Sequence, residues 1–379
     1  MEIFVDFKVF NSIISMFVKY ATRQRQGENH TNSVRLFIHD NQLTLGFFNP
    51  SIGVYYARHL PSTINGDFVE LWIKIDALRK LPFQGSSLCI KYDKDVLTLL
   101  CDGASFTVNS NAYSKDDMIP PREWGNDAEV LDVIDTQLFY HMVRYAGAGV
   151  ATEQTRPVLM SFKYIRTMRS VKFAAADGFR LHVVTATMHK GAPSQTFLMP
   201  YQKLIPLLPL IRAQGGALTI KRVADLRLGL EFGDHYFEYD EGEGKFPELE
   251  HLVVLDRPFA CKMERRAMQR LLAHLSEINA SNNHTVKVEN GGLSTKGEFG
   301  DFVIPQVFQW ALRSTGSKQP SLGVALNSVY LYKSVMALPP GMVTTEITLT
   351  MTANNEPVNV VSESGGINYL AVIMPMSTR

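Results

Sequence analysis

The 379-residue sequence has little cysteine, and it contains no long hydrophobic run. Its three cysteines, Cys89, Cys101 and Cys261, are an odd number, and their spacing fits neither a disulfide framework nor a zinc site. They indicate a reducing compartment. No stretch of about 18 apolar residues is available to cross a membrane, and the first ten residues lack the pattern of a signal peptide. We therefore expect a cytoplasmic protein.

An excess of charge of either sign is also absent. The sequence has 38 basic and 37 acidic residues, so its net charge is +1. Any contact with nucleic acid must therefore come from local clusters of Lys and Arg. Hydrophobic residues make up 45% of the chain and charged residues 20%, which is typical of a globular protein. The length predicts two or three domains.

The sequence lacks the common catalytic and cofactor motifs. It has no His-Glu-x-x-His and no Gly-x-Ser-x-Gly, and Gly147-Ala148-Gly149 lacks the third glycine of a dinucleotide fingerprint. A turn at the end of a helix explains those glycines better. The acidic run from 239 to 243 is more typical of a solvated loop than of a metal site. We therefore predict no catalytic residue, no cofactor and no metal.

What the sequence does contain is an internal repeat. Three times a short alternating strand leads into an amphipathic helix, and an acidic residue lies near each helix start, where it complements the helix dipole. These residues are Asp6, Asp135 and Glu264, which are separated by two equal steps of 129 residues. Equal steps favour three related segments, although chance similarity between three domains remains an alternative.

A second helix is predicted midway through each segment, at Asp76–Leu81, Pro200–Arg212 and Asn327–Leu338. The first and third start on good N-cap residues, and a proline suits the first turn of the second. Pro206 and Pro209 should break or kink that second helix.

The pattern predicts an α+β fold built from three similar domains. Strand-like runs lie between and after the helices, so that two helices would cover one face of a mainly antiparallel sheet in each domain. Polar or turn-rich stretches place the domains at residues 1–126, 127–253 and 254–379.

Several short motifs occur in the order and spacing of a known family. They are an Arg-x-x-Leu strand with an Asp-Gly-x-Arg-Leu turn, a Gly-x-Phe-Pro link, a Met-Pro-Met ending and a helix start with Asn and Tyr; here these are Thr155–Leu159, Ala175–Leu181, Gly244–Glu248, Val372–Met376, Asn327 and Tyr330. Together they resemble the beta subunit of bacterial DNA polymerase III, the sliding clamp, over all three domains. The sequence departs from the family at Phe179, which replaces a histidine, and at His251 and Leu252, where the family often has Arg-Val.

The resemblance implies a non-catalytic subunit of a DNA polymerase holoenzyme. A clamp of this family is a head-to-tail homodimer whose six domains close into a ring around duplex DNA, and it would associate with the nucleoid. The resemblance implies sequence-independent contact with double-stranded DNA. It also implies binding of the replicative polymerase, the clamp loader and other proteins that carry a clamp-binding motif.

The resemblance and the sequence together give three sets of candidate residues. The basic residues expected to face DNA are Lys19, Arg23, Arg25, Arg79, Lys80, Arg144, Lys203, Arg212, Arg265, Arg266, Arg270 and Lys333. The expected wall of a pocket for partner peptides is Leu159, Ala176, Gly178, Phe179, Arg180, Leu181, Pro247, His251, Leu252, Asn327, Tyr330, Val372, Ile373, Met374, Pro375 and Met376. The expected dimer interface includes Phe106, His274 and Leu275.

Simpler interpretations of these residues are also compatible with the sequence. Each cation alone is as typical of a solvated surface as of a DNA contact. Phe106 and Leu275 could be ordinary core residues, and the final Met-Pro-Met could simply end a core strand. An enzyme on an α+β scaffold and a monomeric DNA-binding or adaptor protein are the competing functions.

Overall fold

The computed structural model describes residues 1–21, 33–39, 42–49, 52–79, 81, 85–114, 128–153, 155–189, 191–255, 257, 259–278, 285–289, 292–297, 300–304, 309–312, 323–338, 346–352 and 356–376.

The described chain alternates short helices with many strands. The helices are α1 (Phe7–Tyr20), α2 (Ile75–Arg79), α3 (Thr136–Gly147), α4 (Tyr201–Leu204), α5 (Leu208–Ala213), α6 (Arg265–Ile278) and α7 (Ser328–Ala337). The strands up to position 114 are β1 (Glu2–Asp6), β2 (Ser33–His39), β3 (Gln42–Asn49), β4 (Val54–Leu60), β5 (Ser62–Asn65), β6 (Leu71–Lys74), β7 (Ser87–Asp93), β8 (Val96–Cys101), β9 (Ala104–Val108) and β10 (Tyr113–Ser114).

The later strands continue the same alternation. Those between positions 129 and 240 are β11 (Glu129–Asp135), β12 (Ser161–Arg166), β13 (Ser170–Ala176), β14 (Arg180–Thr187), β15 (Gln195–Pro200), β16 (Ala217–Ala224), β17 (Arg227–Phe232) and β18 (His235–Asp240). The last are β19 (Phe259–Glu264), β20 (Thr285–Glu289), β21 (Gly292–Gly297), β22 (Gly300–Ile304), β23 (Gln309–Leu312), β24 (Gly323–Asn327), β25 (Glu346–Met351), β26 (Val358–Ser364) and β27 (Ile367–Ile373). All the pairings between the described strands are antiparallel, so the predicted α+β class is confirmed.

The chain forms two compact units. The first contains residues 1–137 and 203–241, and the second contains residues 138–202 and 242–379. The first unit holds a sheet of order β5-β1-β7-β8-β9 and a nine-stranded sheet of order β10-β6-β2-β3-β4-β18-β17-β16-β11. The second unit holds a nine-stranded sheet of order β15-β12-β13-β14-β27-β26-β25-β19-β23 and a sheet of order β22-β21-β20-β24.

The strand order repeats three times. We call the runs that begin with the strand before the first helix of each segment the leading sets; they are β1-β7-β8-β9, β11-β16-β17-β18 and β19-β25-β26-β27. We call the runs that begin with the strand before the second helix the central sets; they are β6-β2-β3-β4, β15-β12-β13-β14 and β24-β20-β21-β22. The repeat fits the equal spacing in the sequence, while the boundaries at 126 and 253 stay a prediction.

The first helices form where the sequence places them. The Asp6 carboxylate accepts a hydrogen bond from the Val9 amide at 2.9 Å, which caps α1. The apolar side of α1, including Phe10, Ile13 and Phe17, is buried. In the third segment Met268 and Leu272 are buried on α6. Helix packing therefore follows the 3.6-residue period of the sequence.

The second helices show one success and one error of the prediction. Pro206 and Pro209 break the middle helix into α4, a 3-10 turn at Ile205–Leu207 and α5, as expected. In the first segment, however, α2 already begins at Ile75, so Asp76 lies in the first turn and is not the N-cap. Asn327 does cap α7, because its side chain accepts from the amides of Val329 and Tyr330 at 2.9 and 3.2 Å.

Each unit contains a buried histidine held by hydrogen bonds. In the second unit, His182 Nδ1 lies 3.1 Å from the Tyr145 carbonyl, and Nε2 lies 2.9 Å from the Ser334 hydroxyl. Because a carbonyl only accepts, Nδ1 donates its proton to Tyr145. The Ser334 hydroxyl lies between two acceptors, Nε2 and the Tyr330 carbonyl at 2.8 Å, and has one proton for both. Burial, with a smaller effect of the Arg180 charge, lowers the pKa of His182 to about 3. In the first unit, burial lowers the pKa of His235 to about 3.

These histidines predict a loss of stability in mild acid. An unfolded histidine takes up a proton near pH 6.5, whereas the folded form of each stays neutral down to about pH 3. Their stabilising effect is complete above pH 6.5. It should fall below that by up to about 1.4 kcal/mol per pH unit for each histidine. In urea unfolding between pH 7 and 4.5, the free energy of unfolding of the His182→Gln variant should fall less steeply with falling pH than that of the unaltered protein. The exposed His189 supplies the control His189→Gln, and an equal slope in both variants would contradict the assignment.

Candidate functional site

A rigid turn joins β13 to β14 in the second unit. One oxygen of the Asp177 carboxylate accepts from the amides of Phe179 and Arg180, both at 3.0 Å. The other oxygen accepts from Arg180 Nε at 2.8 Å. Gly178 has a φ of +97°, a conformation that glycine adopts without strain. The Asp-Gly-x-Arg pattern therefore encodes one fixed turn, which holds the side chains of residues 179 and 180 in place.

Two side chains of this turn contact Tyr330 near the start of α7. The Arg180 guanidinium carbon lies 4.8 Å from the centre of the Tyr330 ring, in cation–π geometry. The ring of Phe179 stacks on the same tyrosine at 6.2 Å and 23°. Burial and the negative charge of Asp177 raise the pKa of the Tyr330 phenol, so it stays protonated as a donor at neutral pH. Phe179 itself remains largely exposed.

The end of the described chain runs beside this turn. In the pairing of β14 with β27, Arg180 lies opposite Ile373 and Leu181 lies opposite Val372. The Met374 amide then donates to the Phe179 carbonyl at 2.9 Å, and the Met376 amide donates to the Ala325 carbonyl at 2.8 Å. The Met-Pro-Met segment is thus fixed at both methionines, with Met374 exposed and Pro375 and Met376 half-buried.

An apolar cluster lies on the other side of the same strands. Its buried members are Ala151, Leu159, Ala176, Leu181, Leu198, Phe246, Leu370 and Val372. Leu252 packs against it and is only partly buried. A cleft that includes Leu181, Phe246 and Pro247 opens beside this cluster. An apolar floor with exposed aromatic and methionine edges can receive apolar side chains of a ligand.

The structure brings most of the expected pocket residues together. Leu159, Ala176, Leu181, Leu252 and Val372 share the apolar cluster, and Pro247 lines the cleft beside it. Gly178, Phe179, Arg180, Asn327, Tyr330, Ile373, Met374, Pro375 and Met376 surround the turn and the start of α7. His251 lies exposed in the short turn Glu250–Leu252. Whether these residues bind a peptide stays a prediction.

Sequence reasoning missed part of the floor. Phe246 and Leu198 are buried in the apolar cluster, and Leu249 and Val253 pack against it. Phe246 stands inside the Gly-x-Phe-Pro motif, so the motif itself could have identified it. Leu198 carried no signal, because β15 reaches the cluster only through its pairing with β12.

The expected DNA-facing cations occupy different environments. Lys19, Arg79, Arg212, Arg266, Arg270 and Lys333 are exposed, while Arg144 and Arg265 are partly buried. Arg266 and Arg270 lie on the exposed side of α6, opposite the buried Met268. Lys203 donates to the Asp240 carbonyl at 3.3 Å and lies 3.8 Å from that carboxylate, so it also has a structural role. Arg23, Arg25 and Lys80 lie outside the described residues.

The expected interface residues are placed as follows. Phe106 is half-buried on β9, which is the edge strand of its sheet. His274 is exposed on α6. Leu275 is also on α6, although its side chain lies outside the description.

The described residues contain neither a metal cluster nor a membrane-spanning helix. Within the described ranges, no group of three His, Cys, Asp or Glu side chains is arranged to hold a metal ion. No described helix combines the length and the apolar character needed to cross a bilayer.

The turn predicts a strong effect of Asp177 on stability. Arg180 is only 6% exposed, so removal of the carboxylate in Asp177→Ala would leave a buried guanidinium without its ion-pair partner. We expect a loss of about 3–5 kcal/mol in the free energy of unfolding. The measurement is urea unfolding at pH 7. The control Asp225→Ala changes an exposed turn residue, and an equally small effect of both variants would contradict the structural role of Asp177.

Comparison with curated proteins finds two similar beta sliding clamps. No protein-family model matches the chain. The curated beta sliding clamp of Synechocystis sp. is 24% identical over 250 residues, which are 62% of this chain and 62% of that protein. The clamp of Synechococcus elongatus is 24% identical over 60% of each chain. The chain thus spans less than two thirds of the length of the curated relatives that it matches.

Solved structures of bacterial sliding clamps match this chain over its whole length. The DNA polymerase sliding clamp of Bacillus subtilis has a TM-score of 0.84 at 15% identity and covers 100% of both chains. The clamp of Pseudomonas aeruginosa, crystallised with griselimycin, has a TM-score of 0.82 at 15% identity, and the match covers 100% of this chain and 99% of that one. The protein therefore has the fold of the bacterial DNA polymerase III beta subunits and is a divergent relative of the beta sliding clamps.

Proposed function

We propose that this protein is a DNA sliding clamp. Two copies of three domains each would close into a ring around duplex DNA, and the ring would tether a replicative polymerase without catalysing a reaction itself. The observation that carries this proposal is the pattern of paired and free strands at the ends of the repeated sets.

The last strand of a central set pairs with the last strand of the next leading set. In the first unit this pair is β4 with β18, and in the second unit it is β14 with β27. The remaining equivalents are β22, which ends the third central set, and β9, which ends the first leading set. Within the described residues each lies at the edge of its sheet.

The same pairing between copies would join β22 of one protomer to β9 of the next. Such a contact is heterologous, and heterologous contacts close into a ring when their rotation permits it. Exposed Phe302 and Val303 on β22 and half-buried Phe106 on β9 supply apolar side chains for this contact. Pairing would also satisfy the backbone groups of both edges, which are otherwise open to aggregation.

A charged side chain on the free edge of β22 should open the proposed ring. Val303 and Leu226 are both exposed apolar residues, at 63% and 61%, but only Val303 lies on a free edge that the proposal uses. We expect the unaltered protein to be a dimer of twice 42.6 kDa in light scattering and to stay on nicked circular DNA until the DNA is linearised. Val303→Asp should give monomers that are not retained, whereas Leu226→Asp should behave as the unaltered protein. A retained monomer would contradict the ring.

Contact with DNA is assigned to the cations of the helices. Arg266 and Arg270 on α6, with Arg144 on α3 and Lys333 on α7, carry positive charge on three of the described helices. Phosphate contacts of this kind position a protein on DNA independently of sequence and weaken as salt rises. Sequence-independent contact suits a ring that must slide.

Partner binding is assigned to the apolar cluster, the Asp177 turn and the Met-Pro-Met segment. The surface combines an apolar floor with a few fixed polar groups, which is the composition of a site for short peptides with apolar anchors. Replicative polymerase and loader subunits are the partners that we propose. At position 179 the exposed phenylalanine widens the apolar edge, so peptide preference should differ from that of clamps with histidine there.

Met374 provides a test of the pocket. Deletion of the C-terminal strand would remove the buried Val372 and Ile373 and disrupt the sheet, so a point variant is sharper. With griselimycin as the probe, Met374→Ala should raise the Kd about tenfold, or about 1.4 kcal/mol. Met168→Ala changes an exposed methionine in a distant turn and should leave the Kd unchanged. Equal Kd values for the two variants would contradict the assignment.

A further inference from the structure

A second groove of the second unit collects positive charge. It lies where the end of α3, the start of α4 and the face of α7 approach each other, and its lining includes Arg144, Thr152, Arg180, Tyr201, Tyr332 and Lys333. Three of these side chains are cations, and three carry hydroxyl groups. No Asp or Glu is among the described residues that line it. The groove therefore has donors and positive charge without a carboxylate in its described lining.

Arg180 gives this groove a buried donor. The residue is 6% exposed, and its Nε is bound to Asp177. Its Nη1 is buried and has no hydrogen-bond partner among the described residues. A buried charged nitrogen without a partner is costly, so the conformation seen here leaves a place for an acceptor.

The groove is shaped by close packing at the end of α3. The ring of Tyr201 lies so close to Gly147 that a Cβ there would be 2.2 Å from a ring carbon. The amides that follow the helix, at Ala148, Gly149 and Val150, donate to carbonyls of the last turn. The backbone amides are therefore already used, and the available donors are the side chains of Arg144, Arg180 and Lys333.

We propose that this groove binds a phosphate oxyanion and that the bound phosphate is coupled to the peptide pocket through Arg180. Two guanidinium groups and one ammonium match the several acceptor oxygens of a phosphate, and arginine is suited to such multiple contacts. The phosphate could belong to a DNA backbone or to a free phosphate, because both present the same acceptor oxygens. The site itself lies within one unit and does not depend on the proposed ring.

Coupling follows from the shared arginine. Arg180, which lines the groove, also places its guanidinium on the Tyr330 ring, next to Phe179 in the proposed pocket wall. A phosphate that accepts from Arg180 would satisfy the unpartnered Nη1 in this stacked conformation and would lower the free energy of that conformation. Because coupling between two sites is reciprocal, phosphate should tighten ligand binding in the pocket and the pocket ligand should tighten phosphate binding.

Phosphate binding can be measured directly on the full chain. Inorganic phosphate is titrated at constant low ionic strength and followed by calorimetry and by the ³¹P resonance. We expect saturable binding that weakens at least tenfold in Arg144→Gln and in Lys333→Gln. The matched controls Arg169→Gln and Lys262→Gln remove exposed cations of the same unit and should bind as the unaltered protein does. Absence of saturable binding, or equal losses in variants and controls, would overturn the site.

Two further arms identify the source of the phosphate. If a linear duplex of about 20 base pairs displaces inorganic phosphate, and the two groove variants weaken duplex binding, the natural ligand is a DNA backbone. If the duplex does not displace it, the ligand is a free phosphate. Val303→Asp, which should open the ring, should still bind phosphate, so failure of the ring and failure of this site give different results.

The coupling has its own test. The Kd of griselimycin is measured with and without saturating phosphate, and sulfate-free chloride keeps the ionic strength constant. We expect phosphate to lower that Kd at least threefold in the unaltered protein and in Arg169→Gln, and to leave it unchanged in Arg144→Gln. A Kd that does not respond to phosphate in the unaltered protein would overturn the coupling.

Discussion

The hydrogen-bonded ladder between β14 and β27 is the constraint on which the candidate site depends. It joins strands that lie almost 200 residues apart in the sequence, and it places Ile373 beside Arg180. The position of the Met-Pro-Met segment follows from that register. The Met374 amide can reach the Phe179 carbonyl only because the ladder brings the chain end to the turn. A slip by one residue would turn the buried Val372 outward and would dissolve the apolar floor.

Arg180 is the point where this ladder meets the rest of the second unit. Its Nε is held by Asp177, its charge lies against the Tyr330 ring, and its remaining buried nitrogen lacks a described partner. The neighbouring His182 ties the same strand to α7 through Ser334. Strand and helix are thus connected by polar contacts whose burial makes them strong and whose geometry leaves little freedom. These contacts fix one wall of the proposed pocket.

Much of the fold could be predicted from local patterns. The caps at Asp6 and Asn327 and the break at Pro206 are local effects, and the sequence around each is sufficient to predict them. The local pattern failed at Asp76. This residue suits an N-cap position, but α2 already begins at Ile75. Boundaries depend on packing as well as on propensity, and packing is not visible in one segment.

The site was predictable only as far as its motifs reach. The resemblance identified Phe179, Arg180 and Tyr330 without showing that they stack on one another. Leu198 joined the floor through strand pairing, and Lys203 is held by Asp240, 37 positions away. The unsatisfied nitrogen of Arg180 could not be inferred from sequence at all, because it is a property of three-dimensional surroundings.

The free edges β9 and β22 have a consequence for how the protein exists in a cell. If they are covered only by another copy, then part of the folding free energy is held in association and obeys mass action. Dilution would separate the copies and expose the edges of both β9 and β22. The isolated subunit would then be less stable than the assembled one. The abundance of the protein would then help to determine how long each molecule stays folded.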